Sequence, residues 1–494
     1  MINFYKFHIV KKSRYPKSRG YFCRGDRSDI YLIDIIKFQW KMMKIKFLGA
    51  AGTVTGSKYL ITIKNRHILV DCGLFQGLKP LRNLNWENLP FDITMIDAVL
   101  ITHAHIDHTG YLPKLVKSGY KGPIYATPAT ADLCSILLPD SGSIQEEDAR
   151  QANKHQYSKH HPALPLYTKD EAEAVLEQFK VIQFNQQITI APGIEAIWHR
   201  AGHILGAAFI QLKAEGKELV FSGDMGRFHD PVMHAPVYMK SADYLILEST
   251  YGDRLHSNEN PHDLIAKVIN KTVKKNGTVL IPAFAVGRAQ AILYYLSKLK
   301  EQDMIPDIPV FLDSPMSIKA TKLLQKYVNE HRLSEEQCEK ACNVAEYIRT
   351  QKESKELFNV HGPKIIISAS GMLTGGRILH HLSYFGPDPD NTILIVGYQA
   401  AGTRGRHLLE GKKSVKIHGR MVNVNATVEY ISSFSAHADY KDILEWLEHF
   451  KKKPRKIFIT HGEPVSSENL KKEIEEKFDV KCHIPKYLEE DYLD

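Results

Sequence analysis

The chain has 494 residues, 43% of them hydrophobic and 24% charged, an ordinary balance for a folded protein long enough for two or three hydrophobic cores. No apolar run approaches the ~20 residues that a bilayer-spanning helix needs. The six cysteines are scattered without a CxxC pair, which excludes a disulfide framework and a cysteine zinc site and fits a cytoplasmic protein. The net charge of +9 suggests a polyanionic partner, but residues 1–42 hold ten Lys/Arg against three Asp/Glu. The rest of the chain is therefore nearly neutral, and any polyanion must be held by a local groove or by metal ions.

Residues 1–42 are basic and aromatic and show no secretory cleavage pattern. They precede a methionine, Met43, that opens a strand pattern. This fits a disordered extension or, as the favoured reading, a start codon set too early. From residue 43 to 254 short strands dominate, over Lys44–Leu48, Lys58–Lys64, His67–Val70, Ala98–Thr102, Ile194–Trp198, Ala207–Leu212, Glu218–Phe221 and Tyr244–Leu247. Several deliver a candidate ligand or acid at the carboxyl end: Asp71, His103, Asp224 and Glu248. Residues 130–180 read as polar and helical. From 255 to 425 strands and helices alternate, the mark of a parallel, doubly wound sheet inserted into the first domain. From 426 to 494 the earlier style returns, with His437 after one strand and His461 after another.

The segment from Ile101 to Gly110 carries the chemistry. His103, His105 and His108 lie with Asp107 within six residues, directly after the apolar run Ala98–Ile101. Residues at i and i+2 on extended chain point the same way, so His103 and His105 share one direction. Asp107 and His108 are offset around the following turn and face a second point. That arrangement suits two metal ions rather than one. Imidazole and carboxylate without thiolate suit zinc or a similar divalent ion. Each remaining candidate admits a plainer reading by itself: His203 as a turn residue, Asp224 as a helix cap, Glu248 as a salt-bridge partner of Arg254, His437 as a cap and His461 as a loop histidine.

Taken in order, the stretches HAHIDHTG, AGHILGAA, SGDMGR, LILESTYG, SFSAHAD and THGE resemble the metallo-β-lactamase fold, and specifically its β-CASP branch. That branch includes RNase J and the endonuclease of the cleavage and polyadenylation machinery. The resemblance covers about residues 44 to 485 and implies an αββα sandwich with an inserted parallel-sheet β-CASP domain. It implies that His103, His105, His203 and Asp224 hold one metal, and that Asp107, His108, Asp224 and His461 hold the other. Two zinc ions are expected, with manganese as the alternative. Asp71 would orient a ligand histidine or the water. His437 would protonate the leaving oxygen, with Glu248 holding its ring. DNA-directed relatives carry valine at the position of His461, so histidine points to RNA.

In the inserted domain Ser370, Gly371 and Met372 lie between a strand and the turn that holds Arg377. Small residues before a helix favour a phosphate, and Arg404 with Arg406 offers a second anchor. Similar stretches in the family line the RNA path. The resemblance thus implies a metal-dependent ribonuclease for single-stranded RNA. Endonucleolytic cutting is preferred over 5′–3′ exonucleolytic cutting, because the chain runs only about 30 residues past His461 and lacks RNase J's further domain. Two alternatives remain: a metallohydrolase of small esters or thioesters, and a non-catalytic RNA-binding subunit. A homodimer is compatible with the sequence, and no residue argues for it.

Overall fold

Period-two alternation of apolar residues builds two sheets that pack face to face, in a computed structural model that describes residues 43–494 apart from 157, 159 and 258. The expectation for residues 1–42 falls outside the described residues. The first sheet has seven strands in the order Glu490–Leu493, Met43–Phe47, Tyr59–Ile63, Arg66–Val70, Ala98–Leu100, Ile124–Ala126, Phe179–Val181. The second also has seven, in the order Cys482–His483, Lys456–Thr460, Tyr244–Glu248, Lys217–Phe221, Ala208–Ala214, Ile194–Arg200, Gln187–Ala191. Ile45, Phe47, Ile61, Ile68, Val70 and Leu100 of the first meet Trp198, Ile210, Leu212, Phe221, Ile246 and Phe458 of the second in one buried cluster. The alternate residues Leu60, Leu69, Val99, Val220 and Ile459 face outward into a second cluster shared with the helices. This is the expected αββα sandwich.

Within each sheet a parallel block fixes where the site can form. Arg66–Val70, Ala98–Leu100 and Ile124–Ala126 run parallel, as do Lys217–Phe221, Tyr244–Glu248 and Lys456–Thr460. Parallel neighbours bring their carboxyl ends to one edge. Asp71, Thr102, Asp224, Glu248 and His461 therefore leave their strands at the same rim, where open α/β sheets build their sites.

The inserted region holds a six-stranded sheet, entirely parallel, in the order Glu346–Tyr347, Val310–Leu312, Lys364–Ser368, Thr278–Pro282, Thr392–Ile395, Thr427–Tyr430. Helices Arg288–Glu301 and Pro315–Lys326 cover one face, and Ile378–Phe385 covers the other. Two details depart from the sequence reading. Thr427–Tyr430, expected to begin the return at 426, is instead the edge strand of this sheet, paired with Thr392–Ile395. At the C-terminal end Glu490–Leu493, given no strand in the sequence reading, adds antiparallel to Met43–Phe47 at the edge of the first sheet. Its sequence is short and mostly polar, so only the available edge makes it a strand. Among the described residues no helix is long and apolar enough to cross a membrane.

Candidate metal centre

The loop from His103 to Thr109 is pinned from several sides. Its short helix Ile106–Thr109 turns Asp107 and His108 away from the extended His103 and His105. The amide of Ser57 donates to the Asp107 carbonyl at 2.9 Å, and that of Cys72 to the His108 carbonyl at 2.7 Å. Gly73 permits this approach, since a Cβ there would sit 1.6 Å from the Asp107 carbonyl oxygen. Asp71 is fully buried with φ of +58°, a conformation rare for residues other than glycine, asparagine and aspartate. Its carboxylate accepts from the Thr102 amide at 2.8 Å and the Thr102 hydroxyl at 2.8 Å, and faces His108 Nδ1 at 2.7 Å. His108 Nε2 is thereby aimed at the rim. Thr102, which the sequence reading did not single out, also places its hydroxyl 3.1 Å from His103 Nδ1.

The histidines converge with their ring nitrogens toward one another. His105 Nδ1 lies 3.1 Å from His103 Nε2 and 3.2 Å from His203 Nε2. Asp224 Oδ2 lies 3.3 Å from His103 Nε2 and 3.5 Å from His203 Nε2. These four side chains form one group that could hold a cation. Asp107, His108 and His461 form another. There His108 Nε2 is 3.2 Å from His461 Nε2, and His461 Nε2 is 3.5 Å from Asp107 Oδ2. Asp224 Oδ1, 3.2 Å from His108 Nε2, reaches this second group. Neutral imidazoles cannot satisfy one another when every facing atom is a lone pair. Asp224 Oδ1 is buried with no hydrogen-bond partner among the described residues. Buried nitrogen and carboxylate atoms that converge in this way are the arrangement that divalent cations fit.

Electrostatics in the rim follows burial and neighbouring charge. Burial, with the charge of His108 added, pushes His103 down to about 3. Burial and His437 put His203 well below its ordinary value. Burial would raise Asp224, but His461, His108 and His103 hold it well below the usual carboxylate range. Burial lowers His108, and the carboxylates of Asp224 and Asp71 more than reverse that.

His437 stands at the mouth, about one-sixth exposed, and is more accessible than His103, His108, His203 and His461. Its Nδ1 is 3.0 Å from Glu248 Oε2, and Glu248 also accepts the Met225 amide at 2.5 Å. Glu248 is thus not paired with Arg254, which binds Asp253 instead. Burial alone would lower His437, but Glu248 and Asp224 push it up to about 9. His256, absent from the sequence reading, is buried behind this pair. Its amide donates to Asp439 Oδ2 at 2.9 Å, and its Nε2 donates to the His437 carbonyl at 2.8 Å. A lone histidine five residues past Tyr251 carried no pattern that would have marked it.

The phosphate-binding candidates fare unevenly. Met372 packs on Val54 and Ala400 where the inserted region touches the sandwich. Gly371 sits against Phe284, whose ring lies 6.2 Å from that of His105. Ser370 is occupied locally, its hydroxyl accepting from the Thr374 amide at 2.9 Å and the Gly375 amide at 3.2 Å. Arg377 and Arg404 are partly engaged by the protein. Arg377 binds Asp313 Oδ1 at 2.6 Å and the carbonyls of Ile348 and Arg349. Arg404 donates to the carbonyls of Lys416, Leu373 and Thr374. Both guanidinium groups brace loops of the inserted domain, while Arg404 keeps Nη2 without a protein partner among the described residues. Arg406, bonded through Nε to Glu410 at 2.9 Å, keeps its two terminal nitrogens without a protein partner among the described residues.

Three family models match successive parts of the chain: a metallo-beta-lactamase superfamily domain over residues 60–247, a Beta-Casp domain over 289–408 and a Zn-dependent metallo-hydrolase RNA specificity domain over 421–485. Ribonuclease TTHA0252 of Thermus thermophilus is 36% identical over 430 residues, covering 85% of this chain and 93% of that protein. Transcription termination factor FttA of Thermococcus kodakarensis is 31% identical over 96% of this chain and 74% of its own length. A crystal structure of a protein of unknown function from Enterococcus faecalis V583 superposes over 92% of this chain with a TM-score of 0.50 at 14% identity, a likeness of fold alone.

Proposed function

This chain belongs to the metallo-β-lactamase-fold β-CASP ribonuclease family, and we propose that it is a metal-dependent hydrolase that cuts phosphodiester bonds within single-stranded RNA. The observation that carries this reading is the convergence of His103, His105, His203 and Asp224, beside Asp107, His108 and His461, on one rim. Asp224 faces both groups with different oxygens. We assign His103, His105, His203 and Asp224 to one divalent ion and Asp107, His108, Asp224 and His461 to a second. The donor set of nitrogen and oxygen without sulfur supports zinc, with manganese as the alternative. When bound, such ions supply charge neutralisation at the phosphate and a water acidic enough to react near neutral pH.

The chain's own residues supply the rest. Asp71 fixes His108 through Nδ1, which keeps Nε2 free for its ligand role. Glu248 accepts from His437 Nδ1 and, with Asp224, favours the imidazolium, in which Nε2 carries a second proton. From there it can pass to the leaving oxygen, a contribution of about 10²–10⁴ in rate. Val54 packs on Met372 and Ala400, and Gly77 approaches the Ala401 carbonyl, so the two walls meet beside the rim. A passage bounded in this way supports an unpaired strand as substrate. The buried free thiols Cys72, Cys134, Cys338, Cys342 and Cys482 suit a reducing cytoplasm.

The test is incubation of the zinc-loaded protein with single-stranded RNA labelled at either end. Products of intermediate length that are lost on chelation are expected. Turnover of a chromogenic ester with RNA left intact would overturn the reading, and stepwise loss from the 5′ end would overturn its endonucleolytic part.

A further inference from the structure

His256 is a buried side chain that the chemistry proposed above does not use. It stands in the loop that follows Glu248 and leads to the helix Pro261–Val273. It is 7% exposed, and its ring packs on that of Tyr251 at 5.0 Å. Its Nε2 lies 2.8 Å from the carbonyl oxygen of His437, and no other donor among the described residues reaches that oxygen. A carbonyl only accepts, so the proton of His256 sits on Nε2. Nδ1 is left as a lone pair with no partner among the described residues. Burial, with the charge of Arg227 added, holds His256 down to about 4, so the ring stays uncharged at neutral pH and keeps this one tautomer. The His256 amide also donates to Asp439 Oδ2 at 2.9 Å. Two bonds from one residue therefore grip the turn that carries His437. The other side of the turn is held by the loop of Asp224, where the Met225 carbonyl accepts the Ala438 amide at 2.8 Å.

We propose that His256 is a positioning residue for the proton transfer: it ties the backbone of His437 to the loop behind Glu248 and so sets the imidazole 3.0 Å from the Glu248 carboxylate. The imidazole hangs on the backbone that His256 holds, and Glu248 ends the strand from which the His256 loop departs. As the bond between phosphorus and the leaving oxygen breaks, that oxygen takes the proton of His437, so the rate depends on where the ring stands. A misplacement of about 1 Å can cost ~10²-fold in rate. Without the His256 donor the His437 carbonyl is left unpaired in the interior, and moving the turn toward another donor relieves that cost. His256 makes no hydrogen bond to any residue assigned to the two ions, so the effect falls on the leaving group and spares metal binding. The inference rests on the ribonuclease reading above and on His437 as its acid.

The test uses the metal-loaded protein and a single-stranded RNA with one cleavable linkage, made with either oxygen or sulfur as the leaving bridging atom. A thiolate departs without a proton, so the sulfur substrate bypasses a defect in the acid. His256→Asn keeps a polar side chain, but its amide is too short to reach the His437 carbonyl; His256→Gln reaches it. For His256→Asn, kcat on the oxygen substrate should fall about 10- to 100-fold, with KM within about twofold and the ion content of the wild type. On the sulfur substrate the deficit should shrink to within about threefold, as it should for His437→Ala. His256→Gln should recover most of the lost rate on oxygen. A deficit of equal size on both substrates, a loss of ions, no deficit, or no recovery in His256→Gln would overturn the proposal. Nitrogen NMR of the wild type gives a check that needs no variant: the His256 proton should sit on Nε2, and a proton on Nδ1 instead would overturn the hydrogen bond on which the proposal stands. If His437→Ala is unimpaired on oxygen, the acid role of His437 falls, and if the wild type cuts no RNA, the ribonuclease reading falls; either result takes the role of His256 with it.

Discussion

Asp71→Asn separates the positioning of a ligand from the ligand itself. The amide is isosteric with the carboxylate, and asparagine tolerates the positive φ of +58° found here, so the fold should survive. In the wild type the carboxylate accepts from Thr102 on one side and from His108 Nδ1 at 2.7 Å on the other. The substituted amide can keep the Thr102 bond through its oxygen. It then turns its NH₂ toward His108, which must accept at Nδ1 and carry its proton on Nε2. That proton occupies the lone pair that faces the cluster. The loss is one buried, charge-assisted hydrogen bond, worth about 1.5–3 kcal/mol. It corresponds to roughly 10–100-fold in metal affinity or activity, the usual range when the partner of a ligating histidine is removed. Zinc competition against a chromogenic chelator reads the affinity, and thermal unfolding of the metal-free protein checks the fold. A variant with affinity within twofold of wild type would refute the role given to Asp71.

His437→Ala should keep its metal content in elemental analysis while kcat falls by about 10²–10⁴; equal metal loss would break the division of roles. Gly73→Ala must displace the Asp107 carbonyl, 1.6 Å from the new Cβ, so it should lose about 1–3 kcal/mol in denaturant unfolding and weaken metal binding as well. Asp313→Asn should destabilise the protein by about 3–5 kcal/mol at neutral pH, because Arg377 and His381 would then face a neutral amide in the interior. Burial raises Asp313, but its bonds to His381, Ser354 and Arg377 hold it below the ordinary carboxylate value. A depressed folded value stabilises above the unfolded pKa of ~3.9 and is lost as pH falls through the folded one. The gap between wild type and variant should therefore shrink in unfolding curves below pH ~4; a gap that grows there would contradict the sign.

The sandwich was legible because apolar alternation and strand-end ligands coincide. His103, His105, Asp107 and His108 announce themselves by proximity, and Asp224, Glu248 and His461 by following buried strands. What stayed hidden depends on contacts between distant segments. Nothing local to Arg377 and Arg404 shows that Asp313 and the carbonyls of Leu373 and Lys416 take up part of their donors. His256 and Thr102 lie behind the residues they hold, and one hydrogen bond across the fold leaves no periodic trace. Thr427–Tyr430 and Glu490–Leu493 are short strands whose partners are sheet edges far away in sequence. The rim, by contrast, follows from strand direction alone.

The account depends most on Asp224 facing both groups of ligands. Native mass spectrometry of the wild type and Asp224→Ala, with single-stranded RNA cleavage followed on the same samples, addresses it directly. The expected result is two divalent ions per wild-type chain, and in the variant the loss of both ions and of cleavage together. Asp224→Ala that retains its ions, or that cuts RNA without them, would contradict it.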